Sequence, residues 1–80
     1  MINVSVLFFG ATADAANERE VEMSFARGAT AVDAFVAIVE KYPQLKQHTL
    51  LFAVNQEYSN GDEIIKDGDE LAVFTAVSGG

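Results

Sequence analysis

The chain has 80 residues, 50% of them hydrophobic and 21% charged, with a net charge of −7; this is the composition of one folded domain, too short for two cores. It contains no cysteine and one histidine, His48, which excludes disulfides, thiolate nucleophiles, cysteine metal sites and multi-histidine clusters within the chain. The acidic balance argues against nucleic acid or an anionic membrane as partners and suits a basic protein better.

From Ile2 to Phe9 the residues alternate. Ile2, Val4, Val6 and Phe8 point one way, and Asn3, Ser5, Leu7 and Phe9 the other. The second face is polar at first and apolar at Leu7 and Phe9, so the strand is expected near the centre of its sheet. Gly10 to Asn17 is small and polar and reads as a loop. Between Glu18 and Phe25, Val21, Met23 and Phe25 alternate with Glu20, Glu22 and Ser24, which predicts a half-buried strand paired back on the first. Arg27-Gly28-Ala29 turns the chain. Thr30 is placed to cap a helix, with the Asp33 carboxylate near the positive end of its dipole. Val32, Phe35, Val36 and Val39 recur at helical spacing and predict its buried stripe. Lys41 falls in the last turn, and Pro43 forbids continuation.

Leu50 to Val54 reads as a short buried strand, Asn55 to Gly61 as turn residues, and Ile64-Ile65 as a very short strand. Asp67-Gly68 signals a tight turn. Glu70 to Val77 then alternates, with Leu71, Val73 and Thr75 opposite Ala72, Phe74 and Ala76. No apolar run approaches the roughly 20 residues of a membrane helix. The opening Met1-Ile2-Asn3-Val4 lacks the features of a signal peptide, and a cytoplasmic location is expected. The order of elements predicts an α+β protein of the β-grasp (ubiquitin-like) type. This is a mixed sheet of four to five strands with one main helix packed on one face and the first and last strands as parallel central neighbours. A ferredoxin-like arrangement needs a second helix, for which the polar stretch Asn55–Asp69 is a poor candidate. Residues 1–77 are expected to form the domain and 78–80 a flexible C-terminal tail.

Ser78, Gly79 and Gly80 follow the last predicted strand. Two glycines lack side chains, so such a tail can enter a channel that no β-carbon could pass. A terminal carboxylate can be adenylated with ATP, and a persulfide can then convert the mixed anhydride to a thiocarboxylate. That chemistry needs no catalytic side chain from this protein.

The run Asp67-Gly68-Asp69-Glu70-Leu71-Ala72-Val73-Phe74, followed by Ala76-Val77-Ser78-Gly79-Gly80, resembles the C-terminal signature of molybdopterin synthase small subunits. Val4-Ser5-Val6-Leu7-Phe8-Phe9, the Thr30 helix start and Phe52-Ala53-Val54-Asn55 resemble the same family. The resemblance implies that an E1-like adenylyltransferase uses ATP to activate Gly80, after which sulfur replaces one oxygen. The thiocarboxylate tail, with Gly79 behind its reactive end, would enter the large synthase subunit. There it would donate sulfur to cyclic pyranopterin monophosphate in molybdenum cofactor biosynthesis. The same resemblance implies a heterotetramer with two large subunits. The isolated chain would then be no enzyme but the sulfur-donating subunit of a sulfurtransferase complex, with no metal or bound cofactor of its own. Two stretches depart from the family pattern: Thr75-Ala76 stands where prolines are common, and Ala11–Asn17 is alanine-rich where relatives tend to carry an Arg-Glu pair. The alternatives are a sulfur carrier for thiamine or another pathway, a ubiquitin-like protein modifier, and a plain binding module.

Alternation places Leu7, Phe9 and Phe74 together on the face away from the helix, near the point where the tail leaves. Grouped exposed aromatics imply a partner. In the resembled family the matching positions contact the large subunit and the activating enzyme, and Ser78 joins this partner-binding set. Asp62, Glu63, Asp67, Asp69 and Glu70 lack the ligand spacing of a calcium loop and read as a solvated surface that can steer a basic partner. His48, Tyr42, Tyr58, Gly10 and Gly28 receive no function.

Overall fold

Alternating strands that bury one face need a layer to cover it, and the helix that follows Thr30 supplies that layer. The computed structural model describes residues 1–75. In chain order these form β1 (Ile2–Phe8), α1 (Ala11–Ala16), β2 (Glu20–Phe25), α2 (Ala31–Lys41), a 3₁₀ turn (Pro43–Gln47), β3 (Leu50–Val54), β4 (Glu57–Tyr58) and β5 (Glu70–Thr75). The strands make one sheet in the order β2-β1-β5-β3-β4. β1 and β5 run parallel at its centre, and the other neighbours are antiparallel. This is the expected β-grasp arrangement. No helix among the described residues is long and apolar enough to cross a membrane.

The core follows the predicted alternation of β1 and β5. Ile2, Val4, Val6, Phe8, Leu71 and Val73 are all buried and meet Ile38 of α2, Leu45 of the 3₁₀ turn and Ile65. Thr30 caps α2 as predicted. Its hydroxyl accepts the Asp33 N–H at 3.3 Å, and the Asp33 carboxylate accepts the Thr30 N–H at 3.0 Å, a reciprocal capping box. After Tyr42, Pro43 redirects the chain into the 3₁₀ turn, which carries Leu45 inward. The Tyr42 ring meets Phe8 edge-on, with centroids 5.2 Å apart. Burial pushes the Tyr42 hydroxyl pKa above its ordinary value, with the Glu18 carboxylate adding to the shift.

Several expectations are corrected. The buried stripe of α2 is Ala31, Ala34 and Ile38, whereas Val32 and Val36 are 46% and 51% exposed. Helical spacing marks both stripes, and packing chooses between them: the small alanines let the helix approach the sheet closely. Phe35 is displaced to the flank, where it stacks on Phe52 of β3 with centroids 4.7 Å apart. The segment expected as a loop after Gly10 is a short helix, α1. Its alanines are strong helix formers, and Asn17 closes it in the left-handed conformation with its N–H on the Ala13 carbonyl.

β3 is not wholly buried: Leu50, Phe52 and Val54 pack half-buried against the core, while Leu51 faces out. The predicted turn region after Val54 contains β4. Asn55 and Gln56 both take positive φ, 50° and 71°, and form a two-residue hairpin loop. Ile64 makes one isolated bridge to Thr30 rather than a strand, and Ile65 is buried. Gly61 needs to be glycine: its φ is +94°, and a Cβ there would lie 3.1 Å from Val32 Cβ.

The acidic residues before β5 organise the predicted turn instead of being merely solvated. Asp67 accepts the Asn3 N–H at 2.7 Å. Asp69 accepts the Lys66 N–H at 2.7 Å and the Asn55 side-chain amide at 3.0 Å. The Gly68 N–H donates to the Asn3 carbonyl at 2.8 Å, which locks the start of β5 beside β1.

Candidate functional site

The face of the sheet away from α2 grades from polar to apolar along its length. Near the start of β1, Asn3 pairs with Ser24, and Ser5 lies between Glu22 and Glu70. One row further, Glu20, Leu7, Ala72, Ala53 and Tyr58 lie side by side across all five strands. In the next row Phe74 pairs with Leu51. Phe9, one residue past β1, continues the parallel ladder by donating its N–H to the Val73 carbonyl at 3.1 Å, which sets it beside Phe74. The apolar rows thus lie at the end of the sheet that holds Thr75, the last described residue of β5; Ala76 and Val77, expected to continue the strand, lie outside the described residues.

Leu7, Phe9 and Phe74 therefore share one patch, as alternation predicted. Phe9 is 52% exposed, and Leu7 and Phe74 are half-buried. Ser78, Gly79 and Gly80 lie outside the described residues. The structure adds Leu51 and Tyr58 to the patch, and Tyr58 leans on Phe74 with ring centroids 5.8 Å apart. Tyr58 is 79% exposed, an unusual position for an aromatic ring with no covering layer. Its strand is only two residues long, too short to show an alternation in the sequence. The available signal was Asn55-Gln56, a pair suited to a tight hairpin that folds Tyr58 back onto Ala53.

Carboxylates border the patch. Beside Phe9 an open groove of about 730 Å³ is lined by Asp14, Glu18, Arg19 and Asn17, and Glu20 closes the Leu7 row. An apolar centre with a largely acidic rim fits a protein partner with apolar contacts and basic edges. No group of three or more His, Asp or Glu able to hold a metal occurs among the described residues. His48 is exposed at the end of the 3₁₀ turn.

Under the patch lies Thr12, which sequence reading missed. It is the one buried polar side chain among the described residues. Its hydroxyl accepts the Phe9 N–H at 2.9 Å and lies 2.7 Å from the Phe9 carbonyl and 2.8 Å from that of Val73. These bonds anchor α1 to the ends of β1 and β5.

Residues 6–80 match the ThiS family. The chain belongs to that family. Among its relatives, the molybdopterin synthase sulfur carrier subunit of Mycobacterium tuberculosis is 37% identical, with all of both chains covered. Among solved structures, a putative molybdopterin converting factor subunit 1 from Pyrococcus furiosus superposes with a TM-score of 0.88 at 28% identity, covering 96% of this chain and 100% of that one. SAMP1 from Haloferax volcanii gives 0.86 at 30% identity, covering 98% and 99%. The ThiS-family match spans β1 from Val6, the patch and the C-terminal segment, so it covers every residue proposed for function.

Proposed function

We propose that this protein is the sulfur carrier subunit of a two-subunit molybdopterin synthase. The observation that carries the reading is end-to-end similarity to a relative of that name. The geometry supports it: the apolar rows lie where β5 hands the chain on toward Gly79 and Gly80.

In this reading an E1-like adenylyltransferase docks on Leu7, Phe9 and Phe74. The Gly80 carboxylate attacks the α-phosphate of ATP, forming an acyl adenylate and releasing pyrophosphate. A persulfide sulfur displaces AMP, and a second thiol cleaves the resulting disulfide to leave the thiocarboxylate. The large subunit then grips the same patch in a heterotetramer and receives the tail, with Ser78 and Gly79 in its channel. Sulfur passes to cyclic pyranopterin monophosphate, and Gly80 returns to a carboxylate. The chain binds no cofactor, and the reaction takes place in the cytoplasm. Its part in the chemistry is to present the tail, so it is no enzyme when isolated.

The test is intact mass after incubation with the activating enzyme, ATP and a sulfur donor. The expected result is a gain equal to replacing one oxygen by sulfur, lost on deletion of Gly80. No gain, with an activating enzyme shown to be active on another carrier, would overturn the reading. Lysine conjugates formed through Gly80 in cell extract would point instead to a protein modifier.

A further inference from the structure

Thr12 makes a connection that an apolar residue of the same shape could not. A local helix-start threonine needs bonds only to its own turn, yet this hydroxyl also reaches the Val73 carbonyl, 61 residues away in sequence. It has one hydrogen to donate, so it serves one carbonyl at a time. The Phe9 carbonyl has a second donor, the Thr12 N–H at 3.2 Å, which leaves the hydroxyl hydrogen available to Val73. The same Val73 oxygen accepts the Phe9 N–H at 3.1 Å. One buried carbonyl therefore joins Phe9, α1 and the last turn of the central ladder. Val73 directly precedes Phe74, and Thr75 follows. The hydroxyl thus sets the backbone beneath both neighbouring aromatics of the patch.

We infer that Thr12 is a positioning residue for sulfur transfer: its hydroxyl braces the junction of Phe9 with Val73 and so fixes the docking aromatics Phe9 and Phe74 relative to each other. The inference rests on the sulfur-carrier reading. Valine would preserve the shape of Thr12 but remove the hydroxyl's bonds, leaving the single Phe9 N–H to Val73 bond to hold Phe9 against β5 and loosening that junction. Serine would preserve the hydroxyl.

The experiment compares full-length wild type, Thr12→Val and Thr12→Ser, each charged as thiocarboxylate, in sulfur transfer by the large subunit. Folded state is verified by circular dichroism at the assay temperature. Thr12→Val should raise the carrier concentration for half-maximal rate about tenfold, the scale of one buried hydrogen bond, with the saturating rate kept. Thr12→Ser should restore it. Amide exchange on the uncharged protein should quicken at Phe9 in Thr12→Val and stay unchanged at Asp33, a contrast that general loosening would not produce. If Thr12→Val fails to fold, Thr12→Ala, which removes the hydroxyl without crowding, carries the same measurements. A folded Thr12→Val with wild-type half-saturation overturns the inference, as does a serine variant as impaired as the valine. Absence of transfer by wild type would instead remove the sulfur-carrier reading, and this inference with it.

Discussion

On β1, Val6 is completely buried while the next residue, Leu7, lies half-exposed on the opposite face. The same strands build both surfaces, but each surface obeys a different requirement. The covered face must fill volume, so it takes aliphatic residues from β1, β5 and α2 that pack without water. The open face needs no filling. Its polar end carries Ser5 and Asn3, whose side chain accepts from the Ser24 hydroxyl, and its apolar end at Leu7, Phe9, Phe74, Leu51 and Tyr58 has no covering layer among the described residues. Apolar area is retained there against the tendency to bury it, which is the mark of a surface kept for a partner. Exposure on the flank of α2, at Val32 and Val36, has a different origin: close packing of Ala31 and Ala34 leaves those valines beside the sheet.

Substitutions can break this comparison. The largest effect is expected in the core, where Ile38→Ala should cost about 2–5 kcal/mol. Chemical denaturation would measure it, and a loss below about 1 kcal/mol would show that α2 does not seal the covered face. Next comes Phe74→Ala on the open face. It should weaken binding to the large subunit by about 2 kcal/mol or more while costing less in stability than Ile38→Ala. Isothermal titration would read the affinity, and unchanged binding would remove Phe74 from the interface. Thr30→Ala should cost about 1 kcal/mol by opening the capping box, with no change in partner affinity for the folded protein. A thermal melt and a titration on the same sample separate the two. The smallest effect is expected for Val36→Asp on the flank of α2, a change within about 0.5 kcal/mol with sulfur transfer intact. A large loss of transfer there would mean that the flank, too, is a docking surface.

Much of the fold was legible in local pattern. The alternation of Ile2–Phe8 and Glu70–Thr75 fixed which side chains face the core, since adjacent side chains on a strand point to opposite faces. The Thr30–Asp33 pair marked where α2 begins, because an N-cap depends on residues three apart. The Leu7–Phe9–Phe74 patch followed from the same alternation once β1 and β5 were taken as parallel neighbours. The alanine run of α1 was misread because small residues serve loops and helices alike, and the bonds that favour the helix reach Phe9 and Val73.

What the sequence by itself determined, then, were the properties that neighbouring residues settle among themselves: strand faces, the helix cap and the turn before β5. The tertiary structure alone decided which stripe of α2 is buried, because helical periodicity permits two stripes and only contact with the sheet separates them. It also decided that Leu51 and Tyr58 complete the patch and that Thr12 lies beneath it. Cross-strand register and long-range hydrogen bonds bring together residues whose spacing along the chain carries no sign of their meeting.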